Sequence, residues 1–112
     1  MLYGLLIYGE EGRWETFGEA EQQRMRQEYM AMGQDSKTKA GADLGELSQA
    51  TTVRVQDGKT LTTDGPFVET KEYLGGFFLV EAENLDEAIE AAAKIPAART
   101  GGAVEIRPVI QH

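Results

Sequence analysis

With 112 residues, no cysteine, and nineteen acidic against eleven basic side chains, the chain carries a formal charge of −8. The length suits one domain spanning residues 1–112 that folds without covalent staples, and the missing thiols exclude disulfides, thiolate metal sites and cysteine nucleophiles while fitting a reducing cytoplasm. The negative charge repels phosphate backbones and anionic lipid surfaces, which argues against nucleic acid and membranes as partners.

Leu2 to Tyr8 is an almost unbroken apolar run, too short to span a bilayer and without a basic leader, and it reads as a strand buried on both faces. Thr16-Phe17-Gly18-Glu19 matches a capping box, which predicts a helix from about Phe17 to the Met30–Gly33 region with Met25, Tyr29 and Met32 on its apolar face. A break near Gly41 precedes an expected short edge strand from Asp43 to Leu47. Thr51–Gln56 and Lys59–Thr62 flank Asp57-Gly58, the signature of a type I′ hairpin.

Gly75 to Ala82 holds Phe77, Phe78, Leu79 and Val80 in succession, as a central strand covered on both faces would. Asn84 is placed to cap a second helix whose Leu85, Ala88, Ile89 and Ala92 share a stripe, with Pro96 ending it, and Val104 to Ile110 alternates as a last strand. The order is βα, a hairpin, then βαβ. This is an α+β layout that places both helices on one face of an antiparallel-rich sheet and leaves the other face needing cover.

The strongest local cluster is Thr63-Asp64-Gly65-Pro66-Phe67, where a free-φ glycine and a rigid proline hold a carboxylate and an aromatic ring. Asp64 is the candidate general acid, base or orienting group; alternatively its carboxylate caps the turn. Glu69 and Lys71, on one face of a strand, could bind a small polar ligand or form a surface ion pair. Phe67 could line an apolar cavity, and Arg107 could hold a ligand carboxylate or pair structurally with an acid. Glu46, in the expected edge strand, could complete a carboxylate pair with Asp64. Trp14 stands in a polar loop, placed to cover a cavity mouth or a partner subunit. His112 is the only histidine and no metal-binding, P-loop or dinucleotide motif occurs, so neither a metal nor a cofactor is expected.

Leu2-Tyr3-Gly4-Leu5-Leu6-Ile7-Tyr8-Gly9, Asp57-Gly58-Lys59, Asp64-Gly65-Pro66-Phe67-Val68-Glu69-Thr70-Lys71-Glu72, Leu74-Gly75-Gly76-Phe77 and Val104-Glu105-Ile106-Arg107-Pro108-Val109 together resemble the YCII-related, or DGPF-domain, family. The resemblance implies a ferredoxin-like subunit with an added hairpin, pairing as a homodimer into a dimeric α+β barrel with a cavity between the two sheets. Some proteins of the family are proposed to use a histidine on the first helix with an aspartate near the exit of the second. This chain has no histidine on that helix and reads Lys94-Ile95-Pro96 at that exit, so the pair does not transfer. The expectation is a cytoplasmic protein binding a small metabolite at the dimer sheets, enzymatic through Asp64 or, alternatively, a non-catalytic ligand-binding or regulatory module whose DGPF segment is a structural turn.

Overall fold

The computed structural model describes residues 1–112. Six strands and two helices follow one another as β1 (Leu2–Glu10), α1 (Glu19–Gln34), β2 (Thr38–Asp43), β3 (Thr51–Gln56), β4 (Lys59–Asp64), β5 (Glu72–Glu81), α2 (Leu85–Ala93) and β6 (Ala103–Pro108), with short 3₁₀ turns at Trp14–Thr16, Leu47–Gln49 and Pro96–Ala98. Strands β2, β5, β1 and β6 form one antiparallel sheet in that spatial order, and β3 and β4 pair only with each other. β2 is separated from β1 by β5, which makes a split βαβ unit, and the order is compatible with a ferredoxin-like subunit carrying an inserted hairpin.

Alternation along the strands divides the sheet's side chains. Tyr3 and Leu5 of β1 and Val80 of β5 are buried against Ala88, Ala92 and Ile95, with Tyr29, Met32, Phe78, Val104 and Ile106 packed around them. Leu2, Leu6, Phe77 and Leu79 alternate with these residues and belong to the opposite face, where no helix lies. Leu6 pairs with Phe77, and Gly4 with Leu79. The molecule is accordingly a slab of 45 × 42 × 20 Å whose radius of gyration, 15.9 Å, exceeds the roughly 13 Å of a compact chain of this length. A bare sheet face and a projecting hairpin both contribute to that excess.

Several expectations shift by a physical cause. Thr16 does not cap α1. Its hydroxyl donates to the Arg13 carbonyl (2.6 Å) inside the 3₁₀ turn, so Gly18 takes the N-cap and the helix starts at Glu19. β2 lies earlier than expected, at Thr38–Asp43, and Gly41 sits inside it. A Cβ there would meet the Phe78 ring at 2.6 Å, so this glycine admits an aromatic ring from β5 rather than breaking the chain. Leu47 accordingly falls in a 3₁₀ turn. The type I′ hairpin forms as expected, with Asp57 and Gly58 at φ of 52° and 76°, and β4 continues to Asp64. Asn84 caps α2 by accepting the Glu87 N–H at 2.9 Å, but only Ala88 and Ala92 of the predicted stripe are buried, while Leu85 and Ile89 are exposed.

The adjacent glycines of β5 differ in the room around them. A Cβ on Gly76 would lie 2.8 Å from the Ala42 carbonyl oxygen of β2, whereas one on Gly75 meets nothing closer than 4.0 Å. Gly76→Ala is expected to destabilise by roughly 1–3 kcal/mol through forced strand displacement, lowering the melting midpoint by several degrees, while Gly75→Ala shifts it little. Thermal denaturation of the two variants side by side checks this.

Candidate functional site

A concavity of about 800 Å³ opens on the helix side of the sheet. Its floor is the end of β1 with the start of β5, its wall is α1 through Met25, Arg26, Tyr29 and Met30, and its rim combines Arg13, Trp14 and Phe17 with Asp43 and Leu44. Pro96, Ala97, Thr100 and Gly102 close the remaining side. Gly9, Gly41, Ala42, Gly75 and Gly76 line its sheet end, and around Gly9 the space a side chain would take is open.

Short-range bonds fix this frame. The Gln22 side chain donates to the Trp14 carbonyl (2.9 Å), tying the rim turn to α1, and Arg13 Nε donates to the Thr100 carbonyl (3.0 Å), tying it to the segment after α2. The Trp14 ring meets Phe17 edge-on, with centroids 6.5 Å apart, and carries the Arg26 guanidinium 5.3 Å from its centroid. Arg99 donates to Glu28 at 2.6 Å, joining the far side of the pocket to α1. Two tyrosines of the lining are pushed above the ordinary phenol pKa. For Tyr29 burial is the main cause, opposed by the Ala97 main chain and reinforced by the charge of Asp43. For Tyr73 burial again leads, followed by the charges of Glu11, Glu15, Glu46 and Asp43. Both phenols keep their protons at neutral pH and can donate hydrogen bonds.

None of the six site residues proposed from the sequence lines this cavity. Asp64 ends β4 opposite Thr51, with its carboxylate exposed. The turn beside it is held by main-chain groups: the Gly65 N–H donates to Ala50 O and the Thr52 hydroxyl to Gly65 O, both at 2.8 Å, with Gly65 at a φ of 107°. Phe67 is exposed and carries the Arg54 guanidinium 4.7 Å from its ring centroid. Residues 66–71 are irregular rather than extended, so Glu69 and Lys71 do not share a strand face, and Lys71 instead meets Glu10 at 3.6 Å. Glu46 precedes a 3₁₀ turn, not a strand. Its N–H bonds the Gln49 side chain, and it lines a smaller recess with Leu47 and Leu74. Arg107 lies on edge strand β6 opposite Gly4, on the bare side of the sheet. Asp64 and Arg107 thus belong to different sheets. Of the cavity's residues, Trp14 is marked in the sequence by its place in a polar loop and Met25 and Tyr29 by the apolar face of the first helix, whereas Asp43 carries no motif.

The fold and site define a small α+β protein with one bare sheet face and a mixed aromatic and polar pocket. A family model described as the YCII-related domain matches residues 1–112. The chain is also 36% identical over 115 residues to "Uncharacterized protein R00369" of Rhizobium meliloti (strain 1021), a match covering 97% of this chain and 92% of that protein. The protein belongs to the YCII-related family.

The Arg99 guanidinium beside Glu28 holds that carboxyl below the ordinary glutamate value of 4.5. A group whose folded-state pKa is lowered stabilises the fold above its unfolded value and loses that contribution as pH falls through the folded one. Glu28→Gln is therefore expected to melt below the parent at neutral pH, with the gap closing as the pH is taken below 4.5 and narrowing also in high salt. Paired melting curves across an acid titration test this.

Proposed function

We propose that the protein is a cytoplasmic homodimer, formed by apposing the bare sheet faces into a dimeric α+β barrel, and that each subunit binds a small metabolite in the helix-side cavity. The observation that carries the binding reading is the pocket itself. Its walls are largely apolar and aromatic, a few polar groups converge on it, and hydrogen bonds to both neighbouring elements hold its rim in place. The dimer reading rests on Leu2, Leu6, Phe77 and Leu79, half-buried residues on the sheet face away from the chain's own helices. No helix is long and apolar enough to cross a membrane.

Within this reading the DGPF segment serves as a structural turn, since main-chain bonds of Gly65 fasten the base of the hairpin. A second, enzymatic reading keeps Asp64 as acid or base and Glu69, Lys71 and Phe67 as ligand contacts. The projection of the hairpin from its own sheet favours it, because an arm free of its own core can reach a neighbouring subunit's cavity. Arg107 and Glu46 then contribute from the inter-sheet space and the hairpin root.

Sedimentation equilibrium is expected to give twice the chain mass, with Leu79→Arg yielding a folded monomer; a monomeric parent overturns the dimer. For the pocket, a fragment screen read by protein NMR is expected to move Trp14 and Tyr29 resonances. Shifts confined to Asp64, Lys71 and Arg107 would instead support the enzymatic arrangement.

A further inference from the structure

The cavity's charged groups are unequally engaged, and this difference bears on what it can hold. Four ionisable side chains other than tyrosine line it: Glu10, Arg13, Arg26 and Asp43. Arg13 is bound to the Thr100 carbonyl, Arg26 lies over the Trp14 ring, and Glu10 pairs with Lys71. Asp43 has neither an ion pair nor a side-chain hydrogen bond, and it sits at the rim where β2 ends. Tyr29, on the wall, and Tyr73, on the floor, line the same cavity, and the charge of Asp43 is among the causes that raise both phenols.

Resting on the pocket reading above, we propose that the cavity takes an organic cation, a protonated or quaternary amine on an apolar body, with the cationic head at Asp43 in the lining that Tyr29 and Tyr73 share. Three features of the structure agree on this chemistry. A carboxylate at the rim supplies a counter-charge without a competing internal partner. Aromatic rings in the same lining, Tyr29 and Tyr73 among them, carry negative faces that attract a cation and tolerate its methyl or methylene groups. Met25 and Phe78, also in the lining, offer an apolar surface for the body of the ligand. The chain's net charge of −8 also raises the local concentration of cations.

The arginines set the competing expectation, an anionic ligand, and one experiment separates the two. Trp14, the only tryptophan, sits on the rim and reports occupancy through its fluorescence. Three probes of one shape are titrated into the full-length protein: 3-phenylpropylamine, 3-phenylpropanol and 3-phenylpropionate. The amine is expected to bind tightest, by about tenfold over the alcohol, and Asp43→Asn to erase that advantage while leaving the alcohol's affinity unchanged. Equal binding of all three, or an amine preference that survives Asp43→Asn, overturns the cation assignment and leaves the pocket standing. Tightest binding of the propionate overturns it in favour of the arginines. Failure of every probe to perturb Trp14 overturns the cation assignment together with the pocket reading. A circular dichroism spectrum of Asp43→Asn matching the parent confirms that the comparison is between folded proteins.

Discussion

A four-stranded sheet with apolar side chains on both faces, but helices on only one, is the constraint from which the rest of this molecule follows. Because β1 and β5 run through the centre of the sheet, Leu5 and Val80 must point to the helices while Leu6 and Phe77 point away from them. The helix-facing set makes the buried core; the other set is the reason the chain is thin in one dimension. Burying it against a second sheet would supply the apolar contact that the single chain lacks.

The same sheet shapes the cavity. Where β1 leaves the core beyond Ile7, its register with β5 slips, and small residues replace the bulky ones that fill the centre. The space over this end is the cavity, walled by α1 and the rim turn. Polar bonds through Gln22, Arg13 and Arg99 hold α1, the rim and the segment after α2 in mutual position. The cavity is thus part of how the subunit is packed, and its walls belong to elements the core already orders.

Elements set by local chemistry could be read from the sequence. The Asp57-Gly58 turn, the Asn84 cap and the apolar run of β1 each carry their signal within a few residues. Gly41 misled because its role is tertiary: it makes room for a ring thirty-seven positions away in sequence, Phe78, and nothing beside it says so. Thr16 had the right neighbours for a cap but spent its hydroxyl on Arg13. The candidate site failed to emerge for a similar reason. Motif chemistry drew attention to Asp64 and its neighbours, whereas the cavity assembles Trp14, Tyr29, Asp43, Tyr73 and Ala97 from five separate stretches. Only the register of the sheet brings them together.

The hairpin's place in the chain gives it an independence that no core element has. β2 and β5 are neighbours in the sheet and antiparallel, so a short turn could join them directly, yet the chain leaves the sheet after Asp43 and returns only at Glu72. Everything in between hangs from two adjacent points on one edge of the architecture. Such an excursion can lengthen, shorten or change its tip across generations without disturbing a single rung of the central ladder. The subunit therefore separates into a body ordered by its own core and an appendage ordered by the pairing of its own two strands.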